Sequence, residues 1–99
     1  MIRLEEFFIT IAGMTHYYGS SELKIGTVLK LLKEPENPFD PCAISVSLPS
    51  LGIVGYVANG KTTVTEGTLS AEKLYKLIGD EAFCKIMFRA DNFVIGKIL

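Results

Sequence analysis

What this sequence lacks narrows its chemistry before any motif is read. It has no basic excess: ten Lys and Arg stand against eleven Asp and Glu, a formal net charge of −1. Bulk phosphate binding draws on clustered cations, so a strongly electrostatic nucleic-acid binder is disfavoured, while a small site with a few local contacts is not. There is one His, and two cysteines, Cys42 and Cys84, lie far apart with no CxxC spacing. That argues against a zinc site within one chain. No apolar run approaches the roughly 20 residues of a membrane helix. Residues 1–6 show no basic segment leading into an apolar stretch, so no signal peptide is expected. Together these absences predict a cytoplasmic protein with reduced thiols, no cofactor and no membrane contact.

What is present suits one domain over residues 1–99. Hydrophobic residues make up 48%, enough for a core, and charged residues 21%. Residues 5–12 alternate, with Phe7, Ile9 and Ile11 on one face and Phe8 and Thr10 on the other. This predicts a strand with both faces partly covered. An aromatic-rich loop with Tyr17 and Tyr18 follows, bounded by Gly13 and Gly19. Residues 27–33 fit a strand or, given their Leu and Lys, a short helix.

Three prolines then fall within residues 34–41. They fix φ and restrict the residues before them, so this loop is stiff. Asp40 before Pro41 suits the start of a helical turn. Ile44, Val46 and Leu48 alternate with Ser45 and Ser47, a half-buried strand, and residues 51–57 form another. Gly52 and Gly55 suggest a bend or bulge there. Ser70 is placed to cap a helix over 71–78, with Ala71, Leu74, Leu77 and Ile78 on one stripe and Gly79 closing it. Residues 82–89 set Cys84, Ile86 and Phe88 against Phe83, Lys85, Met87 and Arg89, and residues 93–98 form a last strand. The expected fold class is mainly β with one or two short helices, a small six-stranded antiparallel barrel.

Two catalytic motifs match by pattern only. Residues 55–62 fit the phosphate-loop pattern GxxxxGK[ST], but that motif needs a helix to begin directly after it. Here β-branched Thr62, Thr63 and Val64 precede Gly67, a poor helix. Ser70 and Lys73 fit SxxK, yet the rest of that constellation is missing and a helix cap explains the serine. His16 has no clear Ser or Cys partner, so the chain is expected not to be an enzyme. The sharper signal is Thr15, His16, Tyr17 and Tyr18 on one loop with Phe39 and Asp40 on another. Loop aromatics beside a small barrel can stack unpaired bases, or they can plug the barrel ends. Tyr56 and Tyr75 are expected to lean into the core.

The runs at 13–19, 31–46 and 53–57 resemble the HIRAN domain family. Its pattern is an acidic residue, Pro, any residue, Asn-Pro, an aromatic, Asp, two variable residues and Ala-Ile. Glu34, Pro35, Asn37, Pro38, Phe39, Asp40, Ala43 and Ile44 fill those places in order. The resemblance implies a modified OB- or SH3-like barrel that captures the 3′ end of single-stranded DNA. By position, Phe39 would stack on the terminal base and Asp40 would accept a hydrogen bond from the 3′-hydroxyl. His16 and Tyr17 would approach the terminal phosphates. The implied nucleic-acid-binding set is His16, Tyr17, Asn37, Phe39, Asp40, Tyr56 and Lys61. The chain departs from the family at Thr15, where DNA-binding members carry Arg, and near Asn59, at a basic position with Lys61 close by. Fewer cations predict weaker binding with a flatter salt dependence. The implied partners are single-stranded DNA and a DNA-repair or replication protein, with a homo-oligomer as a further possibility. Two other readings stay open: a protein-interaction module that kept the barrel and lost DNA affinity, and a purely structural loop with Phe39 buried.

Overall fold

The computed structural model describes residues 7–13 and 23–99, which build one closed barrel. The strands are β1 (Phe8–Ala12), β2 (Val28–Lys33), β3 (Ile44–Leu48), β4 (Gly52–Val57), β5 (Glu81–Arg89) and β6 (Val94–Ile98). One helix, α1 (Ala71–Tyr75), lies between β4 and β5. Around the barrel the order is β1-β4-β3-β2-β5-β6, and each neighbouring pair is antiparallel. Among the described residues each strand has a paired neighbour on both sides for at least part of its length, so none presents a full free edge for another chain to extend. Residues 28–33 are therefore strand, not helix. Val28 opposite Lys85 and Lys33 opposite Ile44 place them between β5 and β3, where pairing on both sides overrides the Leu/Lys preference.

The alternation read from the sequence fills the barrel. Ile9, Ile11, Leu29, Leu31, Ile44, Val46, Val54, Ile86 and Ile98 are fully or almost fully buried. Thr10 points outward yet is buried, because residues 65–69 lie across it. Its hydroxyl accepts the Thr65 N–H at 3.1 Å and bonds the Thr68 hydroxyl at 2.9 Å. Both faces of β1 are thus covered, as expected.

Three local expectations are corrected. The helix stops at Tyr75 rather than 78: Ser70 caps it as expected, but Leu77 is exposed and Gly79 has no positive φ. Lys33 Nζ donates to the Ile78 carbonyl at 2.7 Å and sits 4.3 Å over the Tyr75 ring, holding this segment as a turn. Phe88 does not share the inward face of Cys84 and Ile86. The β5–β6 register shifts between Ile86 and Phe88, so Phe88 swings out and is 62% exposed. Asp40 and Pro41 begin no helical turn. The Ala43 N–H donates to the Asp40 carbonyl at 3.1 Å, which closes a β-turn. The bulge suspected near Gly52 and Gly55 is present as a register shift in the β3–β4 pair.

Two predictions follow from the barrel wall. A methyl at Gly96 would lie 3.0 Å from Cys84 Sγ, and Cys84 is fully buried. Gly96→Ala should cost about 1–3 kcal/mol by overpacking, read from urea denaturation. Burial pushes the Cys84 thiol up from 9.0 to about 12, partly offset by a hydrogen bond with the Leu29 backbone. A raised folded-state value means the contribution is complete below the unfolded pKa. It is lost as pH climbs from about 9 towards 12, at up to about 1.4 kcal/mol per pH unit. Chemical denaturation at pH 8 and pH 10.5 should show this loss, and Cys84→Ala should reduce it.

Candidate nucleic-acid interface

The loop between β2 and β3 is built by its own polar side chains. The Glu34 N–H donates to the Ala43 carbonyl at 2.9 Å and fastens the two ends. Within the loop Asn37 is the organiser. Its N–H donates to the Glu34 carbonyl at 3.0 Å, and its Nδ2 donates to Glu34 Oε1 at 3.0 Å. Its Oδ1 accepts the N–H groups of Phe39 at 2.8 Å and Asp40 at 3.1 Å. Tyr56, on β4, donates its hydroxyl to the Glu34 carboxylate at 3.0 and 3.1 Å. Together with Pro35, Pro38 and Pro41, these bonds hold one backbone path at little remaining entropy cost.

That path presents Phe39 to solvent at 95% exposure. The readings in which Phe39 is buried as structural glue or plugs a barrel end are therefore wrong. Pro38 and Pro41 and the Asn37 bonds shape the loop without help from the ring. Next to it, the Asp40 carboxylate is fixed at both oxygens. Oδ1 accepts the Cys42 N–H at 2.8 Å, and Oδ2 accepts Asn59 Nδ2 at 3.0 Å. Asn59 Oδ1 in turn accepts the Glu72 N–H in the first turn of α1 at 3.0 Å. One amide thus ties the acidic loop residue to the helix. Each oxygen of Asp40 keeps a second lone pair for an incoming donor.

Phe39 and Asp40 line an open cleft of about 410 Å³ with Asn37, Pro38, Ala43, Tyr56 and Val57. This lies in the range of small-ligand sites and sets one flat ring beside one carboxylate. Of the residues expected at the site, the structure brings Asn37, Phe39, Asp40 and Tyr56 together here. Tyr56 is half-buried, with its hydroxyl spent on Glu34. Lys61 lies in the exposed turn after β4 and is not among the residues described as lining the cleft. His16 and Tyr17, with Thr15 and Tyr18, lie outside the described residues. Sequence reasoning missed Glu34 and Asn59 as supports. The i, i+3 spacing of Glu34 and Asn37 was a usable signal for the first, whereas the Asn59 bridge spans 19 residues and left none.

The pattern-only motifs dissolve in the same geometry. After Gly60, Lys61 and Thr62 the chain makes a turn, and α1 begins only at Ala71, so no helix N-terminus faces a phosphate loop. The Ser70 hydroxyl accepts the Lys73 N–H as the helix cap. Among the described residues, no helix is long and apolar enough to cross a membrane.

The family model for the HIRAN domain matches residues 4–91. The chain belongs to the HIRAN domain family. HIRAN is a family of nucleic-acid-binding modules, and the domain is a binding unit that is not catalytic by itself. The crystal structure of the HIRAN domain of human HLTF is similar in fold, with a TM-score of 0.66 at 19% identity. The match covers 93% of this chain and 71% of that one. No curated protein sequence matches this chain. The HIRAN barrel here is six-stranded and closed, with the β2–β3 loop standing on its rim.

Proposed function

We propose that this HIRAN domain binds single-stranded DNA at its 3′ end, without catalysis, through the cleft between the β2–β3 loop and β4. The observation that carries the reading is the pair Phe39 and Asp40: a ring left 95% exposed on a rigid loop beside a carboxylate fixed by two donors. Phe39 stacks on the terminal base, a contact that tolerates any sequence. Asp40 accepts the terminal hydroxyl and repels a further phosphate, which favours an end over a continuing strand. Asn37 and Tyr56 hold this pair in place, and His16, Tyr17 and Lys61 supply the phosphate contacts. The test is fluorescence anisotropy at low salt with oligonucleotides ending in 3′-hydroxyl or 3′-phosphate. Tighter binding of the hydroxyl end is expected. Equal binding of both, or none, would sink the end-capture reading.

One observation favours a second reading. Among the described residues lining the cleft, the charged one is Asp40, and no cation stands there. A groove of that character also suits a protein partner offering an N–H or hydroxyl donor beside an apolar group. Absence of oligonucleotide binding in the same assay would direct attention to that class.

A further inference from the structure

The cleft occupies the β3–β4 side of the barrel, and in the closed strand order β5 and β6 stand across from it. Their outer face is unusual for a surface with no function. Lys85 on β5 lies directly opposite Lys97 on β6 and Val28 on β2. Phe83, two residues before Lys85, lies opposite Lys30, and Phe88, turned outward by the bulge, lies opposite Ile95. Phe83 is 45% exposed and Phe88 62%. The inward positions of the same strands, Cys84, Ile86, Gly96 and Ile98, are buried, which fixes the outward direction of their neighbours.

Like charges directly opposite on adjacent strands destabilise a sheet. Among the described residues Lys85 and Lys97 have no acidic partner, while Glu81 on that face is taken by Lys30 at 3.2 Å. An apolar partner would have to strip water from both lysines without compensation. A second copy of this chain would set lysine against lysine. An occupant that fits brings negative charge to the middle of the face and flat apolar groups to either side. Along β5 the order is Phe83, Lys85, Phe88, with the first two about 7 Å apart. A base and its phosphate can engage such a pair together, and cations with interleaved aromatics are how sequence-tolerant single-strand surfaces are built.

We propose that the outer face of β5 and β6 binds the interior of a single-stranded nucleic acid, with phosphates on Lys85 and Lys97 and bases on Phe83 and Phe88. This face needs no strand end, so its test is separate from that of the cleft. The probe is a covalently closed oligothymidylate circle with an internal fluorophore, titrated by anisotropy at low salt. The wild-type protein should bind it, and amide shifts in an NMR titration should concentrate on β5 and β6. Phe83→Ala and Phe88→Ala should each weaken binding about tenfold. Lys85→Ala combined with Lys97→Ala should reduce the slope of log K against log salt by about 1.4. Lys85 and Phe88 are exposed and Lys97 is partly so, and their loss should move the melting temperature little, whereas Phe83, 45% exposed, should lower it by several degrees on truncation and leave the protein folded. No binding of the circle, shifts confined to other strands, or affinity indifferent to these substitutions would overturn the proposal. Equal, phenylalanine-independent binding of polyglutamate would overturn it in favour of an acidic polypeptide.

Discussion

Phe39→Ala should weaken binding of a 3′-hydroxyl oligonucleotide about 5- to 150-fold while leaving the folded state untouched. The first half of this expectation is the worth of one base stacked on one ring, about 1–3 kcal/mol. The second half comes from exposure. A side chain 95% open to solvent contributes almost no burial to folding, and surface replacements of this kind stay within about 0.5 kcal/mol. The loop keeps its shape without the ring, since Asn37 Oδ1 holds the backbone N–H of residue 39 whatever its side chain. Binding loss and stability are therefore separable in a single variant. Anisotropy and a thermal melt on the same sample check both. A melt shifted downward by many degrees would mean that the ring packs against something, and an unchanged affinity would remove Phe39 from the site.

The separation works because the loop is preorganised. A flexible loop would have to order its backbone on binding, at about 1–2 kcal/mol per residue. Here three prolines and the Glu34–Asn37–Tyr56 bonds have already met that cost during folding.

Much of this was legible in the sequence, for reasons specific to each segment. Ile44 to Leu48 and Ile9 to Ile11 alternate cleanly because one face meets the core, so β3 could be placed at both ends and β1 at its C-terminal end, while its described start, Phe8, lies three residues after the expected one. The proline-spaced loop announced its stiffness, and the aromatic–aspartate pair inside it marked a candidate site, whose two residues the fold sets side by side on one open cleft. What stayed hidden depends on contacts between distant residues. The bulge that ejects Phe88 arises where β5 must curve to close the barrel, and nothing around Met87 marks it. The early end of α1 is set partly by Lys33, 45 residues away from the carbonyl it takes. Asn59 looked like a lost cation when read along the chain. In the fold it is the donor that aims Asp40, a role visible only once β4, α1 and the loop converge.

That convergence governs the second large effect. Asp40→Asn should lower affinity for a 3′-hydroxyl end about 10- to 100-fold and raise affinity for a 3′-phosphate end, so the preference between them collapses. A hydrogen bond to a charged acceptor is worth about 1.5–3 kcal/mol, and the neutral amide forfeits most of it. The same change removes the repulsion that turns a phosphate away. Geometry adds a further penalty. In the variant, Oδ1 can still accept the Cys42 N–H, which turns the new Nδ2 towards the Nδ2 of Asn59, donor against donor. Asn59 cannot simply flip, because its Oδ1 is held by the Glu72 N–H at 3.0 Å. The charge and the network can be told apart with Asp40→Asn combined with Asn59→Asp. In that pair one oxygen of residue 59 accepts the Glu72 N–H and the other accepts the amide of residue 40. The bridge to the helix is restored, with the negative charge moved one side chain along. Stability lost in the single variant should return in the double one. Hydroxyl-end affinity should not, because the carboxylate no longer sits beside Phe39. Recovery of affinity together with stability would show that Asp40 only supports the loop, and that the strand end is read by another group.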